Sequence, residues 1–153
     1  MAVRNRANSE RVAVYWLASL PGFNIDMVAT TLPEKNAAFQ NTGFITVKVV
    51  GGSPEMYIQE RKPVLEIGCW YAPNNPSSNK PQWGMANNLA ENIVAACYDL
   101  SSFNAVLDLG AGYPNAQVQQ AHWVQEPRRI YGTKDYRALY QGDLWMTWRE
   151  LPS

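Results

Sequence analysis

Residues Pro81–Leu100 read PQWGMANNLAENIVAACYDL, and the rest of the chain is organised around them. Trp83, Ala86, Ala90, Ile93, Cys97 and Leu100 recur at alternating spacings of three and four. That spacing places them on one stripe of an α-helix. Asn87, Asn88, Glu91, Asn92 and Asp99 occupy the opposite side. Pro81 suits the start of such a helix, where a missing N–H costs no hydrogen bond. Asp99-Leu100-Ser101-Ser102 suits its exit. A helix with one apolar face needs a second layer to bury it, and the chain supplies strand-like sequence on both sides.

Upstream, Asn8 or Ser9 can cap a first helix, with Glu10 in its first turn. Val12, Tyr15, Trp16 and Leu20 form its apolar stripe, and Pro21-Gly22 stops it. Phe23–Leu32 is ambiguous; Met27–Thr31 fits a short strand that Pro33 ends, and Glu34–Gly43 reads as a loop. Phe44–Val50 is β-branched and aromatic, a strand expected to end at Gly51-Gly52-Ser53-Pro54. Val64–Tyr71 is the next strand, with Leu65, Ile67, Cys69 and Tyr71 on one face. Gly68, on the other face, marks a bulge or a close backbone approach. Pro73–Lys80 is a loop by composition, either a plain connection or an exposed contact loop.

Downstream, Ala105–Leu109 and the glycine-containing Gly110–Pro114 lead to Gln117–Gln125, read as a strand in preference to a short helix. Glu126-Pro127-Arg128-Arg129 reads as a break. Tyr136–Arg149 alternates in two pieces: Tyr136, Ala138 and Tyr140 on one face, and Leu144, Met146 and Trp148 on another. Gly142 lies between them as a bulge or turn. The order is helix, two or three strands, helix, two or three strands. Short connections favour antiparallel pairing. The expected fold is α+β: a mixed, mostly antiparallel sheet with two helices packed on one face. Residues 1–8 read as a flexible N-terminal arm and residues 9–153 as a single domain.

Of 153 residues, 46% are hydrophobic, enough for one domain with a substantial core. Charged residues make up 17%, against about 25% in an average globular protein, while six Trp and eight Tyr are present. This balance suits either a surface covered by partners or a large aromatic core. A net charge of zero counts against strong nucleic-acid binding, which needs an excess of Lys and Arg. Residues 1–8 are not followed by an apolar region of secretory-signal length. The longest apolar run, Val12–Leu17, is far too short to span a bilayer. No membrane partner is expected. Cys69 and Cys97 fall on core positions and read as buried thiols of a reducing compartment rather than a disulfide.

The residues reveal no catalytic chemistry. Val106-Leu107-Asp108-Leu109-Gly110-Ala111-Gly112 looks like the cofactor loop of methyltransferases. However, Tyr113-Pro114 replaces the third glycine, and only about forty residues remain for a doubly wound sheet. It reads as a glycine turn. Gly51-Gly52-Ser53 lacks the Lys and Ser/Thr of a phosphate loop. His122 is the single histidine and the two cysteines are far apart, so no metal set or cofactor is expected. Glu55, Glu60 and Glu66 show no spacing of a paired acid and base. The basic residues form two groups: Arg4, Arg6 and Arg11, and then Arg128, Arg129, Lys134 and Arg137. They read either as solvated loop charge or as contacts to an acidic partner or to DNA in passage.

Several features together carry a resemblance. A first helix ends in Leu20-Pro21-Gly22. A strand runs into Gly51-Gly52, and another spans Val64–Tyr71. A single Ala/Asn-rich helix covers Trp83–Leu100. Pro127-Arg128-Arg129 comes late, before a Tyr-rich last strand ending in Trp148-Arg149. This layout, over residues 9–150, resembles the tail terminator proteins of long-tailed, siphovirus-like bacteriophages. The resemblance implies a small α+β subunit without enzyme activity or cofactor. It implies a homo-hexameric ring that caps the tail tube, stops its elongation and joins it to the head connector. The expected partners are therefore a second copy, the tail tube protein and the head–tail connector protein, with DNA only in transit. The expected location is the virion tail or neck, after assembly in the host cytoplasm. The family fixes no catalytic residues. Arg4, Arg6, Asn74, Asn75, Lys80, Arg128, Arg129 and Lys134 are the expected interface positions. The alternatives are another neck protein, such as a head-completion or connector ring, and a small methyl-donor-binding enzyme.

Overall fold

The computed structural model describes residues 3–39, 41–73 and 80–152. Its elements are α1 (Ser9–Ala18), β1 (Val28–Ala29), β2 (Phe44–Pro54), β3 (Arg61–Tyr71), α2 (Trp83–Tyr98), β4 (Ala116–Ile130) and β5 (Ala138–Glu150). Among the described residues the strands form one sheet in the order β1-β2-β3-β5-β4. β1 runs parallel to β2, and every other neighbouring pair is antiparallel. Both helices bury residues in one core cluster with the same sheet face, so the fold is α+β as expected.

Asn8 caps α1 by accepting a hydrogen bond from the Arg11 N–H at 2.9 Å. The helix buries Val12, Ala13, Trp16 and Leu17. The Trp16 indole donates to the Ser102 carbonyl at 2.8 Å, tying α1 to the segment that follows α2. α2 buries Ala86, Leu89, Ala90 and Ile93; each large apolar side chain buried this way stabilises the fold by about 1.5–3 kcal/mol. Leu89 thus joins the apolar stripe, and Leu100 leaves it. The helix ends at Tyr98, Asp99 caps a tight turn over Leu100–Ser102, and Leu100 is 88% exposed. On β3, Leu65, Ile67, Cys69 and Tyr71 face the helices and are buried, as alternation requires.

Several features of the strands differ from the sequence expectation, and the first strand shrinks to Val28–Ala29. Gly51-Gly52 does not end β2. The ladder with β3 shifts register between Val49 and Gly51 and continues to Pro54, so β3 begins at Arg61. Gly52 has φ +89°, and a Cβ there would collide with the main chain of Lys62 and Pro63. The glycines accommodate a bulge instead of a stop. Glu126–Arg129 does not break β4, which runs through Pro127 to Ile130. β4 is an edge strand, where a missing proline N–H costs no ladder bond, and its register shifts three times against β5. β5 is one strand with one regular register against β3, so Ala138, Tyr140, Leu144, Met146 and Trp148 share a single face. Tyr136 lies outside it, in a left-handed conformation (φ 54°). Gly68 marks no bulge. It clears room for the Trp70 indole, which donates to Thr46 Oγ1 at 3.0 Å.

Candidate functional site

The expected interface residues separate to opposite ends of the sheet. Antiparallel pairing sets the end of β2, the start of β3 and the end of β5 at one end. Here Arg6 pairs with Glu150 at 3.1 Å, Arg4 is exposed, and Ala7 is buried in the core. Trp148 donates to Ser9 Oγ at 3.0 Å, fastening β5 to the start of α1. The turn between β2 and β3 carries Met56, Tyr57 and Ile58, which are 81%, 91% and 58% exposed. With Arg6, Ala7 and Trp148 they line an open cleft of about 550 Å³. The sequence analysis gave this triplet no role. Its signal was three consecutive apolar residues between Glu55 and Gln59, where a solvated turn places none. Glu55 and Glu60 hold Lys62, at 2.8 and 3.9 Å.

The glycine turn lies near this end, at the start of β4. Arg11 on α1 donates to the Leu109 carbonyl at 2.8 Å, and its guanidinium stacks over Tyr113, 3.7 Å from the ring centre. Asp108 accepts from the Gly110 N–H at 3.0 Å, closing a local turn. A Cβ on Gly110 would lie 2.9 Å from the Arg11 guanidinium. Gly110 therefore makes room for a side chain of the protein's own first helix.

Arg128, Arg129 and Lys134 belong to the other end, with Lys80, which is exposed ahead of α2. Asn74 and Asn75 lie outside the described residues. Arg128 and Arg129 point to opposite faces of the sheet, as neighbours on a strand do. With the Gln125 amide turned to satisfy both its neighbours, Arg128 donates to its oxygen at 3.1 Å and its nitrogen donates to Asp143 at 3.0 Å, on the face away from the helices. Arg129 lies on the helix side among three aromatic rings. Its guanidinium carbon is 4.7 Å from the Trp83 ring centre, 6.0 Å from Tyr131 and 5.9 Å from Tyr140. The Trp83 and Tyr131 rings are 5.7 Å apart, and Trp83 and Tyr140 6.4 Å apart. The hydrogen bond to the Tyr140 hydroxyl, at 3.5 Å, leads the causes that raise the Arg129 pKa.

Arg137, grouped with these cations in the sequence, is 3% exposed. It donates to Asn36 Oδ1 at 2.7 Å and to the Glu34 carbonyl, and lies 5.2 Å from the Phe39 ring centre. It is a structural clamp between the loop before β2 and the loop before β5.

The uncovered sheet face holds His122, exposed and 4.9 Å from the Trp145 ring centre. Cys69 and Cys97 are free thiols; burial pushes both upward, Cys97 to about 11. Among the described residues no three His, Cys, Asp or Glu side chains come together as a metal site. Among the described residues, too, no helix is long and apolar enough to cross a membrane. No protein-family model matches the chain, and no curated protein matches it.

Proposed function

We propose that this protein is a structural virion component, the tail terminator of a long-tailed bacteriophage. In this reading it forms a homo-hexameric ring on the tail tube protein, stops tube elongation and presents a surface to the head–tail connector protein. It works in the virion neck after assembly in the host cytoplasm, without enzymatic activity. The observation that carries the reading is the β2–β3 turn, which holds Met56, Tyr57 and Ile58 in solvent. Exposed apolar residues clustered at a protruding tip mark a contact with another protein. Two sheet edges support it. Among the described residues β1 pairs with β2 at Ile45 and Thr46 and Glu10 accepts from the Val49 N–H, while no strand pairs with the rest of the outer edge of β2, and β4 forms the other edge. Open edges invite contacts between protomers. A net charge of zero suits a conduit through which DNA must pass without being held.

The test is electron microscopy of lysates from the encoding virus with this gene deleted. Full heads beside unattached tails of uncontrolled, excessive length are the expected result. Tails of normal length beside unjoined or leaking heads would move the protein to the head side of the neck. Normal infectious particles would sink both readings.

A further inference from the structure

The Arg129 site has a specific chemistry that the ring assembly does not require. We infer that Arg129, laid on Trp83, Tyr131 and Tyr140, is a docking point for a carboxylate of an acidic peptide segment in a partner protein. A guanidinium carries five N–H donors in a fixed fork. Phenol oxygens engage only part of that fork, and among the described residues no carboxylate pairs with it. The rings hold the side chain in place, so little rotamer freedom remains to be lost on binding. Trp, Tyr and Arg are also the residues that dominate binding energy at protein interfaces.

The surroundings add charge complementarity. The described segments at this end, residues 33–39, 41–43, 80–82 and 126–137, carry Lys35, Lys80, Arg128, Arg129, Lys134 and Arg137 against Glu34, Glu126 and Asp135, with Asp143 of β5 beside Arg128. The chain as a whole is neutral, and this end holds a small excess of positive charge. One of those cations, Arg137, is buried and rigidifies the loop that follows Tyr131. A small cationic excess focused on one oriented fork matches a carboxylate, which a guanidinium grips through two parallel hydrogen bonds. A nucleic-acid backbone calls for many dispersed phosphate contacts.

The test is a titration of the full chain followed through the indole N–H of Trp83 and the Nε–H of Arg129 by NMR. The probes are a blocked hexaglutamate peptide and an oligothymidylate of equal charge. The expected result is a saturable shift of both signals with hexaglutamate. Arg129→Lys, which keeps the charge but loses the fork, weakens binding by about tenfold or more. Arg149→Lys, at the opposite end of the sheet, leaves it unchanged. The absence of a saturable shift, or equal affinity in Arg129→Lys, overturns the assignment. Oligothymidylate binding the same signals more tightly than hexaglutamate also overturns it and gives the surface to nucleic acid. The titration reads the isolated chain, so its outcome is independent of the tail phenotype.

Discussion

Gly142→Ala adds one methyl group where the edge strand bulges. Gly142 of β5 lies beneath the register shift of β4 between Gln125 and Arg128. A Cβ built there is 2.6 Å from the Gln125 carbonyl oxygen, 2.9 Å from the Pro127 nitrogen and 2.9 Å from Trp123 Cζ3. Ordinary contact distances are about 3.5–4.0 Å, so the β4 main chain must withdraw by roughly 1 Å. Two of the three obstacles are backbone atoms, which no rotamer change can relieve. Overpacking of this kind costs about 1–3 kcal/mol. Restricting the unfolded chain by replacing glycine returns about 0.4–1 kcal/mol. The net loss is centred near about 1.3 kcal/mol and reaches about 2.6 kcal/mol; at about 2–4 °C per kcal/mol the melting temperature falls by about 3–5 °C at the centre and by up to about 10 °C. Gly84→Ala is the matched control. It sits in the first turn of α2 with nothing within 4 Å of the added carbon. It should gain up to about 1 kcal/mol from helix propensity. Urea unfolding followed by circular dichroism measures both. Opposite signs are expected; a Gly142→Ala protein as stable as the parent would refute the packing of the bulge against β5. The same substitution should perturb the Trp83 and Arg129 signals, because the bulge sets the register that puts Arg129, and not Arg128, on the helix side.

Three further outcomes follow from the geometry. Arg137→Met removes two charge-assisted hydrogen bonds and strands their acceptors, costing about 3 kcal/mol in urea unfolding; a loss below about 1 kcal/mol would refute the clamp. The Cys97 thiol, pushed up to about 11, favours the folded state while protonated. Its contribution is intact below the ordinary thiol value near 9 and is lost as pH rises toward 11, so Cys97→Ala should flatten the decline of stability across that window; an unchanged slope counts against its burial. Met56→Asp, Tyr57→Ser and Ile58→Asp combined should leave stability within about 1–2 kcal/mol of the parent. Supplied in trans to the gene deletion, the triple variant should fail to restore normal tail length, and full restoration would remove the β2–β3 turn from the proposed interface.

Short-range patterns were legible because they are enforced locally. The period of α2 showed in the spacing of Ala86, Ala90 and Ile93. The alternation of Leu65, Ile67, Cys69 and Tyr71 matched the pleat, and the α1 cap was narrowed to Asn8 or Ser9, of which Asn8 holds it. Each depends on residues a few positions apart, whose geometry a helix or strand dictates regardless of the rest of the chain. What failed was the interpretation of Gly51-Gly52 and Glu126–Arg129 as stops. Glycine and proline end an element only where no neighbouring strand rescues the ladder, and here β3 and β5 carry the pairing across both bulges. The contact surfaces were least legible of all. Arg128, Arg129 and Arg137 are close in sequence and chemically alike. Yet one joins an amide on the open face, one lies on Trp83 from α2, and one is buried against Glu34 and Asn36. Their partners stand some 45 to 100 residues away in the chain in the latter two cases, so only the closure of the sheet could separate three arginines into three roles. The sequence alone determined the α+β layers and their apolar faces; tertiary packing decided which charged and apolar side chains were left for partners, because exposure depends on every element at once.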